Sequence, residues 1–150
     1  MASEVLAASD ALCDEALYGA WRVVRAKGYS LDDNDVRIDS EGEQEGVLIF
    51  TPSHRMIAFV LRPGRKPASN EQEKLALFDS MITYSGKFVL EPGRYVLDID
   101  WSSTANNQDE LQIREYAVDG DDLTITVPLH RNIRDPSKRN SNILVLRREA

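Results

Sequence analysis

The chain has 150 residues and a formal charge of −7, from 18 basic and 25 acidic side chains. That length suits one domain, 1–150, with a single core, and the excess of acidic groups disfavours nucleic acid or an anionic membrane surface as partner. No apolar run approaches the roughly 18 residues of a membrane helix, and one cysteine, Cys13, allows neither an internal disulfide nor a multi-cysteine metal site.

Residues 1–17 carry no Lys or Arg, and Glu4, Asp10, Asp14 and Glu15 interrupt the apolar residues. This is not the pattern of an export signal, so the expectation is a cytoplasmic protein. The segment reads as a short amphipathic helix capped by Ser9, with Leu12, Ala16 and Leu17 on one face. Cys13 is expected to be at least half-buried, since its acidic neighbours disfavour a thiolate.

From Trp21 onward the pattern is that of short strands. Residues 21–24, 47–51 and 55–61 are apolar and β-rich, while Val36 and Ile38 sit in an acidic stretch that reads as a loop or weak strand. Arg62-Pro63-Gly64 ends the third run. One internal helix is predicted over residues 71–81, with Ser69 and Gln72 as a capping box and Phe78 as its anchor. Strands resume at 83–90 and 94–100, separated by Glu91-Pro92-Gly93. After a polar loop, 111–118 and 123–127 flank the hairpin signal Asp119-Gly120. Residues 130–141 read as a basic, polar loop, and 143–146 as the last strand. About eight strands without βαβ alternation predict an all-β, mainly antiparallel sheet. Closure into a barrel would remove its edges.

Several segments carry a likeness. Gly19-Ala20-Trp21 opens the first strand, Phe50-Thr51-Pro52 leads to Met56, and Arg62-Pro63-Gly64-Arg65 follows. Next come Tyr84-Ser85-Gly86-Lys87-Phe88 and a hairpin from Gln112 through Arg114, Tyr116 and Gly120 to Thr124. In this order and spacing the chain resembles the lipocalin-like domain family of calycin-type β-barrels over about residues 16–148. The resemblance implies a closed barrel of about eight strands with a short N-terminal helix and one internal helix. It implies that Trp21 plugs one end beneath Arg147 or Arg148, and that Gln112, Arg114 and Tyr116 look inward. His54 stands where the family pattern has Gly, and Leu97 and Asp98 stand where many relatives have His.

No phosphate-cradling glycine motif and no G-x-S-x-G elbow is present, and His54 and His130 lie far apart in predicted loops. No cofactor or metal is expected. The polar groups that could share one cavity are Arg114, Asp98, Tyr84 and Tyr116. Arg or Tyr would polarise a carbonyl and Asp would move a proton, although a purely structural Asp98–Arg114 salt bridge would satisfy the same residues. Ile57, Phe59, Phe88, Trp101 and Gln112 are the expected ligand contacts. Gly86 is expected to permit a bend or close approach. The partner is then a small apolar or amphiphilic molecule, with a homodimer left open. Lipocalin-like barrels include cofactor-independent isomerases and cyclases of natural-product (polyketide- or terpenoid-like) intermediates, and that is the function favoured from sequence. The alternatives are a carrier of an amphiphile such as a fatty acid, and a barrel filled by its own side chains.

Overall fold

Alternating apolar and polar residues give each strand one face for the core and one for water, and here they let one antiparallel sheet curl until its ends meet. The computed structural model describes residues 13–105, 111–132 and 135–150. The strands are β1 (Gly19–Leu31), β2 (Arg37–Glu43), β3 (Glu45–Phe50), β4 (Arg55–Leu61), β5 (Met81–Glu91), β6 (Arg94–Ser102), β7 (Gln112–Asp119), β8 (Asp122–Arg131) and β9 (Arg139–Arg148). A single helix among the described residues, α1 (Glu71–Asp79), joins β4 to β5. The sheet runs β2-β1-β3-β4-β5-β6-β7-β8-β9, and β1 pairs again with β9. Eight strands therefore close a barrel, with β2 as a ninth outside the cylinder.

β1 is longer than residues 21–24 because pairing, rather than apolarity, sets its length. Its start pairs with β3 (Gly19↔Phe50 to Arg22↔Val47) and its end with β2 (Arg25↔Glu43 to Leu31↔Arg37). Its other edge pairs with β9 as far as Leu31↔Arg139. The acidic stretch around Ile38 is thus a strand, wholly exposed. Its charges at Arg37, Asp39, Glu41 and Glu43 protect the free edge from pairing with other chains. Likewise the predicted loop 130–141 shrinks, since β8 runs to Arg131 and β9 starts at Arg139.

The core is densest at one end. Trp21, Phe50, Phe88 and Tyr95 are each at most 1% exposed. Phe50 meets the rings of Phe88 and Tyr95 edge-on at 5.6 and 5.4 Å, the favoured geometry for aromatic pairs. The indole Nε1 of Trp21 donates to the Leu17 carbonyl at 2.8 Å. Arg148 lies over the indole with Cζ 4.1 Å from the ring centroid and donates to the carbonyls of Tyr18 and Ala16. Arg147 points outward to Asp122. The guanidinium thus seals the plug by cation–π attraction and caps the incoming chain.

The segment leading into β1 is a turn, with Leu17 N–H donating to the Asp14 carbonyl at 3.0 Å. The expected N-terminal helix is absent from this described part, and its proposed start around Ser9 lies outside the described residues. Cys13 is exposed, not half-buried. In α1 the cap is Asn70 rather than Ser69: its side chain accepts from Glu73 N–H at 2.9 Å, and Glu73 reaches back to Ser69. The acidic residue at the third helical position makes this the better box. Phe78 is no anchor; it is 42% exposed, and no residue of α1 is buried. The helix abuts β5, where Arg65 ties Ser80 and the Leu77 carbonyl.

Gly86 marks a register shift between β5 and β6. A Cβ there would stand 2.3 Å from the Asp98 carbonyl oxygen. Gly86→Ala must push two backbones apart and is expected to destabilise the barrel by about 1–3 kcal/mol. Urea unfolding measures this, and wild-type stability in the variant would contradict the close approach.

Candidate functional site

The opposite end of the barrel is hollow. A cavity of about 220 Å³ opens there. Leu48, Val60, Ile82, Ile125, Val127 and Leu144 form its apolar walls, from β3, β4, β5, β8 and β9. Tyr84 on β5, Arg114 on β7 and Asn140 and Asn142 on β9 bring polar groups to it, and Arg62, Ser80 and His130 also contribute to the lining. No carboxylate lines it among the described residues.

Arg114 is 6% exposed. It faces inward because β7 alternates, with Gln112 and Arg114 buried and Ile113 and Glu115 exposed. Its neighbour on β6 is the buried Tyr95. The one hydrogen bond of its guanidinium among the described residues goes to the adjacent Ile113 carbonyl, at 3.1 Å. Burial, above all, pushes the Tyr95 hydroxyl well above its ordinary pKa, with the neighbouring Tyr84 adding to the rise and Arg114 opposing it. Tyr95 therefore stays protonated.

The expected Asp98–Arg114 pair does not form. On β6 the inward residues are Tyr95, Leu97 and Ile99, all at most 5% exposed, so Asp98 between them faces outward, in register with Lys87. Ile57 and Phe59 also face outward, 40% and 41% exposed, since β4 turns Met56, Ala58 and Val60 to the core. Trp101 is 69% exposed. It lies beside Arg55, whose bidentate pair with Asp100 holds that carboxyl below its ordinary pKa. Phe88 packs at the closed end. Gln112 is buried in register with Leu97 but does not line the cavity. Of the residues singled out from sequence, Arg114 and Tyr84 meet in the hollow.

Tyr116 serves the closed end instead. Its hydroxyl donates to Asp14 Oδ2 at 2.8 Å, and its ring centroid lies 6.1 Å from that of Tyr95. Nearby, Tyr18 and His54 Nε2 are hydrogen-bonded at 2.9 Å, and the His54 ring stacks on Phe88 at 4.9 Å. His54 is therefore a packed residue rather than a solvated one. It holds a left-handed backbone (φ 64°), which explains the family's Gly at this turn.

Asn140 and Asn142 are the cavity residues that sequence reasoning missed. The usable signal was the alternation Asn140, Asn142, Leu144, Leu146, which extends the inward face of the last strand back by two positions.

Among the described residues, no cluster of His, Cys, Asp and Glu could hold a metal ion. No helix is long and apolar enough to cross a membrane. A family model described as a lipocalin-like domain matches residues 18–149. No curated protein matches the chain.

The Tyr116–Asp14 contact carries a pH signature. Burial first, and then the Asp14 carboxylate, raise the Tyr116 pKa above its unfolded value of 10.0. A raised folded pKa means that the contribution is complete below about pH 10 and is lost as pH rises through the folded value. Stability followed by urea unfolding from about pH 8 to about pH 12 is expected to fall above about pH 10. The fall should be shallower in Tyr116→Phe; identical slopes would contradict the assignment.

Proposed function

The chain belongs to the lipocalin-like domain family, and on that footing we propose that its barrel holds a small, largely apolar molecule whose acidic end group is received by Arg114. The observation that carries this reading is a buried guanidinium beside aliphatic walls, in a hollow that no carboxylate lines among the described residues. Taking a charge out of water costs several kcal/mol unless a partner of opposite sign compensates it. A ligand carboxylate supplies that partner through charge-assisted hydrogen bonds. The aliphatic walls then take the ligand's hydrocarbon part.

Size narrows the class. At about 220 Å³ the hollow lies below the roughly 300–1,000 Å³ of pockets for drug-sized ligands. A single-ring or medium-chain acid suits it better than a long fatty acid or a folded polyene.

A second reading, a cofactor-independent isomerase or cyclase, draws support from Tyr84 and Arg114 sharing the hollow. Both can stabilise an oxyanion that develops on a carbonyl substrate. In that reading the proton carrier is His130 rather than the outward Asp98. The His130 Nδ1 stands 3.0 Å from the Pro128 carbonyl, which orients the ring at the lining of the hollow.

Calorimetric titration with octanoate and with methyl octanoate tests the binding reading. Octanoate should bind at least about tenfold more tightly than its ester. Arg114→Met should abolish that preference while keeping or raising the melting temperature, because a buried charge is replaced by an apolar side chain of similar length. Equal binding of acid and ester by the wild type, or unchanged preference in the variant, would overturn it.

A further inference from the structure

The outer wall of the barrel carries an apolar patch over β3 to β6, away from the hollow. Val47 on β3 is in register with Phe59 on β4, and Phe59 with Thr83 on β5. One row toward the closed end, Ile49, Ile57, Ser85 and Trp101 follow one another across β3, β4, β5 and β6. Residues in register share a face, so five apolar side chains are neighbours there. Ile57, Phe59 and Trp101 are exposed, and Val47 and Ile49 are half-buried. Between them β5 contributes the small residues Thr83 and Ser85. A shallow groove therefore runs along β5, with Ile57 and Phe59 on one bank and Trp101 on the other. Exposed apolar patches rimmed by polar groups mark interaction surfaces.

Trp101 is held in place before any partner arrives. Arg55 donates to both carboxylate oxygens of Asp100, at 3.0 and 2.7 Å, and to Ser85 Oγ at 2.9 Å. Its Cζ lies 5.2 Å from the Trp101 ring centroid. This cation–π contact fixes the indole, so little side-chain entropy is lost when the ring is covered. Tryptophan, other aromatics and arginine concentrate binding energy at interfaces. An arginine already paired with a carboxylate strands no charge when it is covered.

The charges beside the patch choose the partner. Arg55, Lys87 and Asp98 form an in-register row across β4, β5 and β6, and Asp100 lies next to them on β6. Two cations and two anions cancel on this face, although the chain carries −7 overall. The cations lie on β4 and β5, the anions on β6. A two-fold axis running between β5 and β6, parallel to them, lays β6 of each copy over β5 of the other. Each Trp101 then enters the other copy's groove, and each Asp98 comes opposite the other copy's Lys87. The face is thus its own complement in shape and in charge. Strands about 4.8 Å apart and residues about 3.3 Å apart give four strands and seven residues an extent of about 20 by 23 Å. That is at the small end of specific interfaces, where association is weak and reversible.

We infer that the outer face of β3 to β6 is the contact of a two-fold symmetric homodimer, in which Trp101 of each chain fills the groove along β5 of the other. The dimer is independent of what the hollow binds.

Sedimentation equilibrium of the full chain, from about 1 µM to about 500 µM, tests it. The wild type should pass from monomer to dimer within that range. Phe59→Ser and Trp101→Ser should each weaken association about tenfold or more. Ile113→Ser removes a similarly exposed apolar side chain from the outside of β7 and should leave it within about twofold of wild type. Acrylamide quenching follows the same change, because the other tryptophan, Trp21, is fully buried. Trp101 should be quenched in dilute protein and protected as the dimer forms. A monomer at every concentration would overturn the inference, as would association that survives both patch variants. Trp101 protected at the lowest concentration would show the patch covered by the chain itself and would overturn it too.

Discussion

β1 has to satisfy both of its edges at once. One edge is divided between β3 and β2, and the other runs along β9 from Trp21 to Leu31. A strand with two full edges turns a sheet into a cylinder, and a cylinder leaves few backbone groups for water or for other chains. Gly28 and Gly86 supply the close backbone approaches this requires. The same strand begins at the plug: Trp21 sits beneath Arg148, the residue paired with it across the closing seam. Closure and sealing are therefore one arrangement, and it fixes which end of the barrel is solid.

Stability and function separate along the barrel axis. The large aromatic side chains Trp21, Phe50, Phe88 and Tyr95 are fully buried and, with Tyr18, His54 and Tyr116, knit the end where the chain enters β1. At the other end, inward positions carry Arg114, Tyr84, Asn140 and Asn142 between aliphatic residues. These groups add nothing to a hydrophobic core. Such placement makes sense where a guest completes the packing. With a chain charge of −7, an acid is not drawn in over long distances; screening confines charge effects to about 10 Å at ordinary ionic strength. On the proposed reading, selection rests on Arg114, the one buried guanidinium among the described residues, and the shape around it.

Much of this was legible in the residues. Gly19-Ala20-Trp21, the partner arginine near the C-terminus, the bend at Gly86 and the Asp119-Gly120 hairpin all depend on local chemistry that sequence displays directly. The inward face of β7 at Arg114 was legible through the family pattern. What failed depends on information from elsewhere in the chain. β4 is apolar on both faces, so alternation alone could not tell Ile57 and Phe59 from Met56, Ala58 and Val60. Asp98 was paired with Arg114 on chemistry, but pairing needs a common face, and Leu97 and Ile99 hold that one. Asn140 and Asn142 have low strand propensity, which hid the first half of β9 inside a predicted loop. Phe78 looked like an anchor because its size was read without knowing that α1 lies at the flank of the barrel.

The central claim is that the buried Arg114 guanidinium is an anion receptor. Its Nε–Hε resonance, assigned by comparison with Arg114→Met and followed by NMR during octanoate titration, reports on it most directly. The account predicts a saturable shift of that signal, with slower solvent exchange in the bound state. A signal that does not move at octanoate concentrations that saturate binding, while resonances outside the barrel do, would place the ligand elsewhere and contradict the account.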